Sequence, residues 1–315
     1  MIFAIPTLRN GISDVKPQIR KLGTVDCDLV ETNPIVFKGE VYRLESISPT
    51  YWGNQTKQPY LRFVHPESGW RSEPFARGHY MGTAFVEGDT VYVTAVPQPG
   101  GERIVVFVSR DIQRWENWEV LNLPGWGIYN TSVCRVEDKY VLMFEINKPQ
   151  DQCGVWFTAR FATSGDMRRW ELTPPECVYA KDRYTAPHCL RYCNGYYYNL
   201  FLECFSSPGG GKYPYRYEQH VVRSKDLVNW QLSPHKAVLA ASDEDRVVAN
   251  PSLGPELQKR IAETVNINNS DIDFCEHDGR LIINYSWGDQ QVNMHLAEAI
   301  YEGTVSEFLQ AWFPG

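Results

Sequence analysis

The chain has 315 residues, of which 43% are apolar, with 10 Trp, 18 Tyr and 14 Phe, and with 23 Gly and 20 Pro scattered along its length. That apolar content supports a core and excludes wholesale disorder, while the prolines exclude a long helical bundle or coiled coil. With 31 basic against 38 acidic residues the formal charge is −7, and no Lys/Arg run reaches five, which excludes a phosphate backbone or an anionic lipid surface as the expected partner.

The first 21 residues, MIFAIPTLRNGISDVKPQIRK, lack a basic segment leading into a long apolar stretch, and no window approaches 18 apolar residues. The reading is a cytoplasmic protein with no membrane span. Its eight cysteines (27, 134, 153, 177, 189, 193, 204 and 275) form no C-x-x-C, and several lie in apolar runs such as SVCRV and FLECF. They read as reduced core thiols in preference to a zinc site or a disulfide set.

In chain order, residues 1 to 25 are candidates for a strand that closes the fold. NPIVFKGEVYRLE (33 to 45) is a hairpin, two alternating apolar strands around Lys-Gly. A second hairpin is GTAFVEGDTVYVTA (82 to 95), followed by Ser109-Arg-Asp111-Ile-Gln-Arg-Trp115. A third is TSVCRVEDKYVLMFE (131 to 145), followed by Ser164-Gly-Asp166-Met-Arg-Arg-Trp170. A fourth is PHCLRYCNGYYYNLFLE (187 to 203), then a Gly- and Tyr-rich loop over 206 to 217, then Ser224-Lys-Asp226-Leu-Val-Asn-Trp230. PSLGPELQKRIAETV (251 to 265) reads as an amphipathic helix. The fifth hairpin, SDIDFCEHDGRLIINYSW (270 to 287), leads into the closing strands NMHLAEAIYEG and a relaxed W motif, SEFLQAW. The first repeat's W motif, around Ser68 and Trp70, is weaker still.

The pattern S-x-D-φ-x-x-W (φ apolar) recurs at 55 and 60 residues, a propeller period. Its Asp has a plain task in bonding turn amides, and its Trp is suited to pack between neighbouring sheets. The repeats therefore predict an all-β, five-bladed β-propeller in one domain. Its blades run over 26–76, 77–126, 127–180, 181–240 and 266–315, with a short helical insertion at 251–265 before the last.

In such a ring the inner strands begin at one face of a central channel, so the strand starts converge there. That places Glu31 and Asn33, Arg77 and His79, Asn130, Arg183, Tyr184 and His188, then Asp271 and Asp273 at the mouth, with Glu145, Glu203 and Trp287 on its rim. Carboxylates, Arg, His and aromatic rings around a pit are what sugar hydrolysis requires. Asp271 and Asp273, two apart on one strand, are expected to face the same side and to raise each other's proton affinity. They are the expected catalytic carboxylates together with Glu31. His188 is a general acid, an ion ligand or a core histidine. Arg77, His79, Asn130, Arg183, Tyr184, Glu145, Glu203 and Trp287 are expected to bind substrate. No cofactor is expected, with a divalent ion in the channel left open.

The repeated W motif with hairpins of the type G-x-φ-Y-φ resembles the five-bladed β-propeller glycoside hydrolases of families 43, 32, 68, 117 and 130, over nearly the whole chain. That resemblance implies an acidic residue at the first strand of blade 1, another acid in a middle blade and a Glu in the next. Here Glu31 stands two residues before Asn33-Pro34, blade 3 has Asn130, and blade 4 has Thr185-Ala186-Pro187. Resemblance to family 117, where a histidine has been proposed as acid, implies that role for His188. The reading is therefore a glycosidase acting on a terminal sugar of a glycoside or oligosaccharide. Its rivals are a non-catalytic carbohydrate-binding propeller and a glycoside phosphorylase, with a protein scaffold ranked last.

Overall fold

The computed structural model describes residues 16–207 and 212–314. The chain folds as a run of antiparallel sheets. Strand β1 is Arg20–Cys27; β2 (Thr32–Phe37), β3 (Glu40–Ile47) and β4 (Tyr60–Val64) form a three-stranded sheet in that order. A four-stranded meander follows, of β5 (Tyr80–Glu87), β6 (Thr90–Val96), β7 (Arg103–Ser109) and β8 (Glu116–Asn122). Next come β9 (Gly127–Val136), β10 (Lys139–Lys148), the short helix α1 (Gln150–Cys153), β11 (Thr158–Ser164), β12 (Glu171–Leu172) and β13 (Val178–Tyr179), whose strands make a third sheet.

The remaining strands are β14 (His188–Cys193), β15 (Tyr196–Ser206), β16 (Tyr215–Ser224) and β17 (Trp230–Leu232), then β18 (Asn268–His277), β19 (Arg280–Gly288) and β20 (Met294–Glu302). They make two antiparallel units joined by a single parallel contact, Tyr217 opposite Asn268. All five expected hairpins are present at their turns. The first strand of each, β2, β5, β9, β14 and β18, packs against the next, and β18 returns to β2. The sheets thus surround a closed channel, which is what brings residues from distant parts of the sequence together.

The ring is locked by the two ends of the described chain. β1 pairs with β20, from Arg20 opposite Ile300 to Cys27 opposite His295, so the closing strand is the one expected near the N-terminus. Residues 1–15 of that candidate segment, and 208–211 of the Gly-rich loop, lie outside the described residues. Lys21 fixes β1 further: its Nζ meets Asp245 at 2.8 Å and Asn269 Oδ1 at 2.7 Å across the ring closure.

The W-motif turns are alike in detail. In each, the Asp Oδ1 meets the Ser hydroxyl and accepts from two turn amides: Gln113 and Arg114 for Asp111, Arg168 and Arg169 for Asp166, Val228 and Asn229 for Asp226. The apolar residue that follows, Ile112, Met167 or Leu227, is left-handed, with φ of 52°, 62° and 64°. Those amide bonds stabilise a conformation a Cβ normally disfavours. Two of the Trp reach the preceding sheet: Trp115 lies flat on Phe75 with centroids 3.9 Å apart, and Trp230 donates from Nε1 to Val178 O at 3.0 Å, whereas Trp170 donates from Nε1 to Met167 O of its own turn at 3.2 Å.

Two predicted elements differ. The helix before the last hairpin, α2, spans Pro255–Glu263, because Asn250 Oδ1 holds Ser252 in a turn and Pro255 opens the first helical turn. SEFLQAW is a helix, α3 (Val305–Ala311), and no fifth W turn. Thr304 Oγ1 accepts from Glu307 N while Glu307 Oε2 accepts from Thr304 N at 2.8 Å, a capping box that starts the helix and seats Phe308, Leu309 and Trp312 in the core.

Candidate active site

One mouth of the channel is a polar pocket whose wall includes Glu31, Asn130, His188, Asp271 and Asp273. Glu31 immediately precedes β2, and its carbonyl accepts from Ser46 N at 3.0 Å, fixing the strand start. Its side chain accepts a hydrogen bond from Tyr51 Oη at 3.1 Å. Burial first, and the Asp271 charge next, push the Glu31 carboxyl up to about 7. At neutral pH this group is poised to give up a proton.

Asp271 does not continue the alternation of β18. Its φ is +52°, and the β18–β19 register slips between Ser270 and Asp273. This bulge separates the two aspartates that a regular strand would pair. Asp271 Oδ2 accepts from Ser270 Oγ at 2.6 Å and Ser286 Oγ at 2.9 Å. Its proton affinity is raised by burial and by the Glu145 charge, against the lowering effect of the two serine hydroxyls. Asp273 instead takes Arg191 as counter-ion and also accepts from Phe274 N at 2.6 Å. Arg191 is held in turn by Leu190 O and Phe274 O. Asp273, expected as a catalytic carboxylate, lines the pocket with its carboxyl paired to Arg191 in the channel wall, while burial raises its proton affinity against the lowering effect of Arg191.

Glu145, expected on the rim as a binding residue, belongs to the centre. Oε1 accepts from His188 N at 2.9 Å and meets His188 Nδ1 at 3.0 Å, and Oε2 accepts from Asn130 Nδ2 at 3.1 Å. The other ring nitrogen of His188, Nε2, meets Thr185 Oγ1 at 3.0 Å. Both nitrogens are committed and the side chain is fully buried, so His188 holds Glu145 and presents no free edge to a ligand. The Thr and His of TAPHCL thus build the support for a carboxylate contributed by the neighbouring sheet.

Tyr184 stands beside this group. Burial, then Glu145 and Asp271, raise its phenol well above the usual range, and its ring is 37% exposed. Arg183 is taken up by Tyr179 Oη at 2.7 Å and Glu203 Oε1 at 3.3 Å, so that pair neutralises itself. Arg77 is exposed, and His79 packs edge-on against Phe107 with its Nδ1 on Arg77 O, and neither lines the pocket. Trp287 is wholly buried under the closing strand and donates from Nε1 to Thr24 Oγ1 at 2.9 Å. It is a core residue, because the end of β19 is covered by β1. Tyr51 was missed by sequence reasoning; no motif marks it, and it follows β3 in an irregular loop.

The site therefore holds a protonatable carboxyl, Glu31, and a serine-anchored carboxylate, Asp271, with a fixed anion, Glu145, behind them. Such a set can donate a proton to a leaving oxygen and activate a nucleophile opposite it. Among the described residues no group of three or more His, Cys, Asp and Glu is arranged to hold a metal ion, and no helix is long and apolar enough to cross a membrane.

No family model and no curated protein matches the chain in sequence. Solved structures do match in shape. The GH43 protein BlXynB from Bacillus licheniformis aligns with a TM-score of 0.56 at 13% identity, covering 89% of this chain and 54% of that one. The catalytic domain of a Coprinopsis cinerea GH62 alpha-L-arabinofuranosidase aligns at 0.58 and 10% identity, covering 91% and 97%. A Bombyx mori GH32 beta-fructofuranosidase aligns at 0.54 and 12%, covering 89% and 59%. The chain shares its fold with these solved glycoside hydrolase structures. It spans about half the length of the B. licheniformis proteins it matches, and all of the fungal catalytic domain but a few per cent. At such identity the glycoside hydrolase fold is what is shared, and the chemistry rests on this chain's own pocket.

Proposed function

We propose that the protein is a glycosidase, a five-bladed propeller of one domain that removes a terminal sugar bound in the channel mouth. The eight-stranded sheet counts in this reading as blades four and five, joined by their one parallel contact. Glu31 is the general acid that protonates the departing oxygen, and Asp271 the carboxylate that acts on the opposite side. Glu145, set by His188 and Asn130, is the negative charge that helps keep the proton on Glu31. The observation that carries the reading is that one pocket is lined by both Glu31, held by the Tyr51 hydroxyl, and Asp271, held by Ser270 and Ser286, with burial and the Asp271 charge raising the proton affinity of Glu31.

A phosphorylase would need a cationic clamp for phosphate, and among the described residues no Lys or Arg lines the pocket. The substrates to try first are those named for the structural neighbours, a terminal arabinofuranosyl and a terminal fructofuranosyl unit. The test is a crystal structure of Asp271→Asn soaked with arabino- and fructo-oligosaccharides. The expected result is a terminal ring between Glu31 and residue 271. A ring bound elsewhere on the surface, with the channel mouth empty, would overturn the proposal.

A further inference from the structure

Beyond the carboxylates, Phe157 on the segment joining β10 to β11 gathers three further rings around it, Trp156 beside it, Tyr184 just before β14 and Tyr129 in β9, and the proposed hydrolysis uses none of them. Tyr184 meets Phe157 edge-on at 5.8 Å. Phe157 meets Tyr129 edge-on at 4.6 Å, and Trp156 meets Phe157 at 6.0 Å. Phe157 and Tyr129 are half-buried, while Tyr184 is 37% exposed and Trp156 63%, the largest value of any aromatic side chain among the described residues.

The rings are held rigidly. Tyr129 Oη accepts from Asn147 Nδ2 at 2.9 Å and lies against Gly100, where a Cβ would come within 2.7 Å of that oxygen. Phe157 has a φ of +64°, a strained value for an aromatic residue. The next residue, Thr158, secures it by donating from Oγ1 towards Cys153 O at 2.6 Å and Ala180 O at 2.9 Å. Gly154 packs so closely on Lys181 O that a Cβ would sit 2.6 Å away, which ties the loop to the segment carrying Tyr184. The backbone on either side of Trp156 is thus held in place before any ligand arrives.

We propose that Tyr184, Phe157 and Trp156 form a sugar-binding ledge leading out of the pocket, which receives the leaving-group side of the substrate and makes the enzyme select an oligosaccharide over a single-ring glycoside. This rests on the glycosidase reading. The occupant is a chain of sugar rings because Tyr184 directly precedes Thr185, whose hydroxyl meets His188 of the pocket wall, and the rings offer apolar faces that match the C–H faces of pyranose or furanose rings.

The test measures binding by calorimetry on Asp271→Asn, which cannot turn over, against methyl α-L-arabinofuranoside and arabino-oligosaccharides of two to four rings, with the corresponding fructose series alongside. The ledge predicts that affinity in one series rises about tenfold from one ring to three, the size of one or two aromatic contacts. Adding Trp156→Ala removes that gain while the circular dichroism and melting temperature stay as before. A gain that survives Trp156→Ala, or affinity independent of length on the unaltered ledge, overturns the ledge and leaves the glycosidase reading standing. Failure of every ligand in both series to bind overturns both.

Discussion

The backbone N–H and the ring Nδ1 of His188 both meet one oxygen of Glu145, at 2.9 and 3.0 Å. A carboxylate oxygen only accepts, so Nδ1 carries the hydrogen and Nε2 is left facing the Thr185 hydroxyl. One residue thereby fixes both the position and the rotation of a buried anion. Asn130 takes the other oxygen, and the resulting charge raises the proton affinity of Asp271 and of Glu31.

The first prediction concerns this charge. If Glu31 must carry its proton to act, activity falls on the alkaline side as Glu31 ionises near pH 7. Glu145→Gln keeps the shape but removes a like charge, so the alkaline limb of kcat/KM moves to lower pH by about half a unit to one unit. A pH–rate profile checks it, and an unmoved limb counts against the electrostatic role of Glu145.

The same raised carboxyl predicts how stability depends on pH. Glu31 ionises at its ordinary 4.5 in the unfolded chain and at about 7 in the folded one. Between those values the folded state holds a proton that the unfolded state has lost, so stability falls as pH rises through this window. Below about 4.5 the difference vanishes, and above about 7 it reaches at most about 3 kcal/mol. Glu31→Gln cannot ionise; it should melt with the wild type at pH 4 and above it at pH 8. Parallel melting curves at both pH values would show that Glu31 is not raised.

The two aspartates of β18 should separate cleanly. Asp273→Asn leaves Arg191 buried without its counter-ion and should cost about 3 kcal/mol. Asp271→Asn keeps a residue type that tolerates the left-handed φ of +52° and should fold almost as well as wild type. Chemical denaturation of the two variants is the check, and equal losses would mean the bulge does not divide their roles.

Much of this arrangement is legible in the residues. Lys38-Gly39, Asn194-Gly195 and Asp278-Gly279 mark hairpins by turn chemistry alone, and the three S-x-D-φ-x-x-W copies give the ring its period. The convergence of Glu31, Asn130, His188 and Asp271 follows from that ring. What the period cannot carry is a break in it. The bulge at Asp271 re-aims one aspartate and leaves the other to Arg191, and nothing in SDIDF announces it. Trp287 looks free at a strand end until β1, distant in sequence, covers it. Glu145 and His188 acquire their roles from each other across two sheets. The capping box Thr304-x-x-Glu307 was readable, and it marks SEFLQAW as a helix.

The inter-sheet role of the motif tryptophans gives a further prediction. Trp115 lies parallel to both Phe75 and Phe63, at 3.9 and 6.0 Å, and so ties the second sheet to the first. Trp115→Ala should cost about 3 kcal/mol and lower the melting temperature by several degrees. A variant that melts with the wild type would show that the W motif does not hold adjacent sheets together.

The most direct measurement compares the loss caused by Glu31→Gln on two substrates of one sugar, 4-nitrophenyl α-L-arabinofuranoside and an arabino-oligosaccharide, with the fructose series as the alternative. 4-Nitrophenolate departs with little help from an acid, whereas a sugar alcohol must be protonated as it leaves. The account predicts that kcat on the oligosaccharide falls by about 10²- to 10⁴-fold and on the nitrophenyl glycoside far less. Equal losses on both, or undiminished turnover of the oligosaccharide, would contradict Glu31 as the acid and with it the proposed chemistry of the channel.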